Sequence, residues 1–417
     1  MTHVRSTLPR AWRALLVLSC AVALVSACGG GADGPDGPGG VGGGGTGAPA
    51  SFSQGPITGF GSIIVNDVHY DDSQAAVVDD DGNALSNTQA LRLGTVVDVQ
   101  GGAITNGMAT ATAIHVHVDL LGPVTAGYSA STGRLSVLGQ PVQVLPSTAL
   151  DGFAGGAAAI TAGRVVAVSS LYDKASGVYV ATRIDPAAGA THYAIRGAPS
   201  AVDAAGGTFT IGAQVFSDAG STPPAGLAVG QLVRAVLAIA ADNHGRWGVT
   251  AFGQALPALP DGRAGSVEGV VSSTTDALHF VVGGVTVDAS GAKVTPTGAT
   301  IAVRSRVQVQ GTITGGVLVA GAVHVSAGDD DQDDDDDQGG QGSQGSPGRF
   351  EVDGAILALD AAHQTFTMRG PTTVSYASAS YAGGKVGDLA VGARVEVTGD
   401  LSPDGTELIA RKIKFDR

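Results

Sequence analysis

The stretch GSIIVNDVHYDD, Gly61–Asp72, reads as two short apolar strands on either side of a turn. Apolar residues alternate before and after Asn66 and Asp67, and both residues tolerate the left-handed backbone that a tight hairpin turn requires. The equivalent stretches elsewhere in the chain lack His69 and Tyr70. The stretch therefore predicts a β-hairpin that serves as a building block, rather than a site of chemistry.

The same hairpin pattern recurs four more times along the chain. The further copies are GRLSVLGQPVQVLP from Gly133, GTFTIGAQVFSD from Gly207, ALHFVVGGVTVDA from Ala277 and QTFTMRGPTTVSYA from Gln364. A later turn holds Gly94, Gly163, Gly230, Arg304 and Gly392 in successive copies, at intervals of 69, 67, 74 and 88 residues. The last interval is the longest because it contains a run of aspartates, and the recurrence indicates a tandem array of repeated units.

Each unit contains about five short strands and no sustained helical periodicity, which predicts an all-β fold. Five strands with one apolar face can close on themselves and so remove exposed sheet edges. We therefore expect a tandem array of small closed β-barrels, similar to OB folds and joined by short linkers. The predicted units are residues 55–118, 119–190, 191–262, 263–327 and 349–417.

The unit resembles a bacterial family of exported β-domains known as domain of unknown function 5666. The resemblance rests on GPITGFGSIIVNDVHYD in the first copy and LAVGARVEVTGDLSPDGTELIARKIKF in the last, and copies two and three follow the pattern least closely. It implies a series of small OB-like barrels. The family has no agreed activity, so it implies no catalytic residue.

Residues 1–27 have the features of a lipoprotein signal peptide: a basic start, a twelve-residue apolar run that is too short to span a bilayer, and small residues before Cys28. The segment VSAC resembles a bacterial lipobox, which implies lipidation of Cys28. Cys20 is the weaker candidate because its apolar run is shorter. Residues 28–54 are rich in glycine and proline and predict a flexible tether. Gly29, where inner-membrane retention would favour aspartate, favours an outer-membrane location.

The composition excludes some classes of partner. The formal net charge is −14 and only 5% of residues are aromatic, which argues against a nucleic-acid ligand. No nucleotide, metalloprotease or other catalytic motif occurs on a suitable element, so we expect no cofactor and no enzymatic activity.

An acidic, low-complexity segment, residues 328–348, separates the fourth unit from the fifth. Contiguous carboxylates repel each other, which predicts a solvated, disordered spacer. Carboxylates are also calcium ligands, so the alternative is that the run binds a cation, although its spacing differs from that of a calcium loop. The candidate ligands are Asp329, Asp330, Asp331, Asp333, Asp334, Asp335, Asp336 and Asp337.

Two other segments suggest metal binding only weakly. The segment Asp79–Asn83 lacks the acid that a calcium loop would need at position 77 and predicts a loop with a D–G turn. His115 and His117 share one face of a strand, but two histidines do not make a zinc site, and both are expected on the surface.

These features favour a non-enzymatic, lipid-anchored protein of the cell envelope whose barrels bind or space an envelope protein or glycan. One alternative is a calcium-responsive surface protein that uses the acidic run. Another is a hydrolase of envelope polymers, which the scarcity of paired acids in the strands disfavours.

Overall fold

Barrel 1 is the first repeat of the chain, and it contains the Gly61–Asp72 hairpin. Asn66 and Asp67 have φ values of 52° and 63°, so the turn adopts the predicted left-handed backbone. The elements are β1 (Ser51–Phe60), β2 (Ile63–Val65), β3 (Val68–Asp71), β4 (Ala76–Asp79), the short helix α1 (Asn87–Ala90), β5 (Val96–Gly101) and β6 (Met108–His117). The ring runs β1–β2–β3–β6–β5–β1, with β3 and β6 parallel, which is a closed barrel of the OB type.

Barrel 2 repeats this ring, with its third and last strands parallel. Its elements are β7 (Leu120–Ser129), β8 (Arg134–Val137), β9 (Gln140–Ala149), a 3₁₀ turn (Gly156–Ala159), β10 (Val165–Asp173) and β11 (Val178–Pro186). Barrel 3 has the same order but a divided first strand. Its elements are β12 (Tyr193–Gly197), β13 (Ala201–Asp203), β14 (Thr208–Ile211), β15 (Gln214–Ser217), β16 (Val233–Ala241) and β17 (Trp247–Gly253).

Barrels 4 and 5 complete the series with the same connectivity. Barrel 4 consists of β18 (Ala264–Thr274), β19 (His279–Val282), β20 (Val285–Asp288), β21 (Lys293–Thr295), β22 (Arg306–Thr314) and β23 (Val317–Ser326). Barrel 5 consists of β24 (Arg349–Ala355), β25 (Ala358–Asp360), β26 (Thr365–Thr367), β27 (Thr373–Ser375), β28 (Ser380–Ala382), a 3₁₀ turn (Val386–Asp388), β29 (Arg394–Leu401) and β30 (Leu408–Phe415). The fold is therefore all-β, as the sequence predicts.

The computed structural model describes residues 51–218, 221, 223, 227–253, 255, 259–326, 349–370 and 372–416. The predicted signal peptide, Cys28, most of the tether and the acidic segment lie outside these residues. The predicted tether, residues 28–54, extends too far towards the C-terminus, because β1 begins at Ser51. Phe52 is only 1% exposed and packs in the core of barrel 4. Within the described ranges, no helix is long and apolar enough to cross a membrane.

The barrels are joined to one another by strand pairing and by shared cores. β1 pairs in parallel with β18 of barrel 4 through its first half and with β24 of barrel 5 through its last two residues. β7 pairs with β12, which joins barrels 2 and 3. Barrels 1 and 5 share one hydrophobic core, and barrels 2 and 3 share another. Barrel 1 is thus the centre of an assembly that includes barrels distant in sequence.

Candidate functional site

Four barrels meet around one cavity. Val96 of barrel 1, Leu171 of barrel 2 and Val270 of barrel 4 pack against each other as a small apolar cluster. Beside them lies a cavity of about 210 Å³ lined by residues of barrels 1, 2, 3 and 4. Arg196 of barrel 3 lines the same cavity. A concave site at a domain junction is a common location for a bound ligand.

Strand order places two histidines beside this cavity. β4 pairs in parallel with β6, so that Asp80, just after β4, lies next to His115 and His117 near the end of β6. Ile114 and Val116, on the opposite face of β6, are 0% and 8% exposed. The predicted surface location is wrong for His117, which is only 6% exposed, because barrels 2 and 3 cover this end of β6.

His117 lies between two carboxylates. Its Nδ1 is 2.9 Å from Asp80 Oδ1, and its Nε2 is 2.7 Å from Asp98 Oδ2, a close charge contact without linear hydrogen-bond geometry. Burial alone would lower the pKa of His117, but Asp98 and Asp80 outweigh it and raise this pKa to about 9. The imidazole is therefore a cation at neutral pH and holds barrel 1's own strands together.

Arg196 extends this charge network from barrel 3 into barrels 1 and 2. Its Nη2 donates to Asp80 of barrel 1, and its Nε lies 3.3 Å from Asp119 Oδ1 of barrel 2. Asp119 also accepts from Ser170 Oγ at 2.6 Å. Burial raises the pKa of Asp119, while Arg196 and Ser170 act in the opposite direction. Arg234 adds a second guanidinium, 2.8 Å from Asp81.

Asp80, His115 and His117 also have the composition of a metal site. One possible ligand atom of each lies within 4.8 Å of the others. Arg196 Nη2, however, lies 3.0 Å from His117 Nδ1 and donates to Asp80. A metal ion between the three groups would have to displace this guanidinium, so Arg196 is the cation that the cluster already holds.

The other sequence candidates divide into two groups. Cys28 and the acidic run Asp329–Asp337 lie outside the described residues. The segment Asp79–Asn83 is a loop, because Asp79 Oδ1 accepts from the backbone of Asp81 and Asn83 at 2.9 and 2.8 Å, and Gly82 has a φ of 79°. The loop positions Asp80 and Asp81 for the charge network and does not have the form of a calcium loop.

The residues that make the junction were missed by reasoning from the sequence. Asp98, Asp119 and Arg196 belong to different units, and no local spacing relates them. One signal was present: Arg196 and Arg234 interrupt the apolar strands YAIRG and VRAVLAIAA. An arginine at such a position requires a buried acidic partner, and this requirement indicates an interface between units.

Comparisons with known proteins identify the repeated domain. Residues 122–185 and 353–414 match the family described as Domain of unknown function (DUF5666). These regions lie in barrels 2 and 5, so barrel 2 is matched although its sequence follows the repeat less closely. Among solved structures, "drosophila Unr CSD456" aligns at 15% identity with a TM-score of 0.13, covering 55% of this chain and 98% of that one. The comparison with curated proteins gave no match.

Proposed function

We propose that this chain, two of whose barrels belong to the DUF5666 family, is a non-enzymatic glycan-binding protein of the bacterial cell envelope. A lipid on Cys28 anchors it to the outer membrane. The five barrels act together as one receptor. The observation that supports this proposal most directly is the cavity to which four barrels contribute lining residues.

The character of the charges beside the cavity favours binding over chemistry. Both oxygens of Asp119 are engaged, by Ser170 and by Arg196. His117 is engaged on both ring nitrogens by Asp80 and Asp98. A general acid or base needs to exchange a proton with a substrate, whereas these groups neutralise one another and fix the floor of the cavity.

The assembly of the barrels favours a receptor over a spacer. A spacer requires length, but barrel 1 pairs with barrels 4 and 5 and contacts barrels 2 and 3. This arrangement brings distant repeats to one place, where they form a concave surface. The acidic composition, with a net charge of −14, suits a neutral ligand such as a glycan better than a polyanion.

Co-sedimentation with purified peptidoglycan sacculi tests the proposal. We expect the lipid-free chain, residues 29–417, to sediment with sacculi in both calcium and a chelator, and to do so after deletion of residues 328–348. Binding that requires calcium and the acidic run would instead make that run the functional element. Binding lost after protease treatment of the sacculi would identify an envelope protein as the partner, and absence of sedimentation would refute the proposal.

The anchor has a test with a matched control. Cys28→Ser should move the protein from the membrane fraction to the soluble fraction and remove the acylated N-terminal peptide from its mass spectrum. Cys20→Ser should leave both unchanged. If Cys20→Ser releases the protein instead, the assignment of lipidation to Cys28 is wrong.

A further inference from the structure

Most hydrogen-bonding groups at the junction cavity already have partners, but three side chains still have atoms available to a ligand. These side chains are Gln54 of barrel 1, Lys174 of barrel 2 and Glu268 of barrel 4. The rest of the lining combines aliphatic side chains, including Val96, Leu171 and Val270, with polar and charged groups that have partners in the junction. The hydrogen-bond partners that these atoms lack indicate the chemistry of the ligand.

Gln54 has a fixed backbone and an unpaired side chain. Its backbone oxygen accepts from Asn66 Nδ2 at 2.9 Å, and β1 is paired on both sides at this position, with β5 and β18. Its side-chain Oε1 is buried and has no hydrogen-bond partner among the described residues. The carboxamide lies over Gly283, where an added Cβ would be 2.7 Å from Oε1. An unpaired buried carbonyl oxygen is costly, and the N–H of a ligand amide would satisfy it by donating a hydrogen bond.

The rim carries one free group of each charge. Both Arg306 contacts to Glu268, at 2.9 and 2.7 Å, go to Oε1, which leaves Oε2 to accept from a ligand. Lys174 is exposed and forms no ion pair within the described part of the chain. A ligand with a net charge would be attracted by one of these groups and repelled by the other. Neutral hydroxyl groups can donate to the carboxylate and accept from the ammonium.

From these groups we infer that the junction cavity binds an N-acetylated amino sugar through its acetamido group. The acetamido N–H donates to Gln54 Oε1, the methyl group packs against Val96, Leu171 and Val270, and the ring hydroxyls reach Glu268 and Lys174. The cavity volume of about 210 Å³ equals that of about seven liquid waters, which suits one terminal sugar. This inference rests on the proposed glycan-binding function.

Calorimetric titration of the lipid-free chain, residues 29–417, with N-acetylglucosamine tests the inference. Glucose and glucosamine lack the acetamido group and should bind at least about tenfold more weakly, which is the effect of a lost buried hydrogen bond. N-acetyl-L-alanine methylamide carries the amide without the sugar. If it binds as well as N-acetylglucosamine, the ligand is a peptide and the assignment to a sugar is wrong.

Two pairs of variants locate the site. Gln54→Leu should lower the affinity for N-acetylglucosamine about tenfold while leaving the melting temperature equal or higher, because the unpaired buried oxygen is gone. Gln89→Leu, at an exposed position outside the cavity, should bind as the wild type does. Lys174→Ala should weaken binding severalfold, and Lys412→Ala, at an exposed lysine of barrel 5, should not.

The outcomes separate this inference from the proposed function. Sedimentation with sacculi that is undiminished by Gln54→Leu, together with no binding of N-acetylglucosamine, would overturn the inference and leave the glycan-binding function standing. Binding of N-acetylglucosamine that Gln54→Leu does not alter would place the sugar elsewhere and overturn the inference as well. Failure of both sacculi and sugar to bind would remove the proposed function too.

Discussion

Two of the junctions that barrel 1 forms with its neighbours differ in character. Towards barrel 5 the junction is mostly apolar: the two barrels share one core, and Phe60 lies so close to Gly370 that a Cβ there would be 2.6 Å from its ring. It also contains one ion pair, between Arg369 of barrel 5 and the buried Asp72 of barrel 1. Towards barrels 2 and 3 the junction is charged, with His117, Asp80 and Arg196 buried in one network. The same domain type therefore docks in two different ways.

The two junctions have different physical properties. Apolar burial is non-directional and does not depend on protonation, so the shared core of barrels 1 and 5 is insensitive to pH but depends on close packing. Buried charges stabilise only while each one keeps its partners, because an uncompensated charge carries the full cost of its lost hydration. The cavity lies beside the charged junction, with His117, Asp119 and Arg196 in its lining.

Removing Arg196 should therefore have the largest effect on stability. Arg196→Leu leaves Asp80 and Asp119 buried with less compensation, and we expect the free energy of unfolding to fall by about 3–5 kcal/mol. Urea unfolding monitored by the fluorescence of Trp247, which packs in the core of barrels 2 and 3, measures the change. Arg246→Leu, in a partly exposed pair with Asp242, is the matched control and should have little effect. Equal effects of the two variants would show that the network contributes no more than a surface pair.

Raising the pH should weaken the contacts of His117 with Asp80 and Asp98, on the side of barrel 1 that faces the charged junction. The pKa of His117 is raised from 6.5 to about 9 by Asp98 and Asp80 against burial and the opposing charge of Arg196. Because the folded-state pKa is the higher one, this contribution is fully present below pH 6.5 and is lost as the pH rises through 9. At 1.36 kcal/mol per unit, the loss is on the order of 3 kcal/mol.

Unfolding free energies measured between pH 6 and pH 10 test this pH dependence. The wild type should lose stability across that range, and His117→Gln should be flatter because it has no proton to release. His115, which lies beside His117, has a pKa lowered by burial and by His117, so it does not share this transition. An unchanged slope in His117→Gln would assign the transition to another group.

The apolar junction should respond to a change of shape and not to pH. Phe60→Leu removes part of a ring that is 1% exposed, and we expect a loss of about 1.5 kcal/mol that is equal at pH 6.5 and pH 9. Thermal or urea unfolding at the two pH values measures it. A loss that differs between the two pH values would show that the two junctions are coupled.

The sequence predicts the barrels well because each is a local unit. Alternating apolar residues and the Asn66–Asp67 turn specify a hairpin within a dozen residues. The same pattern in five copies, each with about five strands, predicts that each unit closes into a barrel. Which barrels meet depends on contacts between residues hundreds of positions apart. Gly59 shows the limit: nothing in the sequence indicates that this residue of β1 lies against the Glu351 backbone of barrel 5.

Contacts between barrels also determine the candidate site, which is why the sequence does not predict it. The period of a strand places His115 and His117 on one face, but burial of that face depends on barrels 2 and 3, which sequence periodicity cannot place. Gln54 is the clearest example, because the sequence puts it in the tether, next to the first strand. Only the pairing of β1 with β18 brings its side chain to the cavity between barrels.

The smallest effect is expected for an ion pair away from both junctions. Lys414 Nζ and Glu396 Oε2 lie 2.7 Å apart across β30 and β29, with side chains 53% and 32% exposed. Lys414→Met should change the unfolding free energy by no more than about 0.5 kcal/mol, because water and salt screen such a pair. Raising sodium chloride from about 0.1 M to about 1 M should remove this small difference, since the screening length falls to about 3 Å. The loss caused by Arg196→Leu should persist at high salt, because its partners are buried. If salt abolished both differences, the charged junction would have to be open to solvent, and its contrast with the apolar junction would disappear.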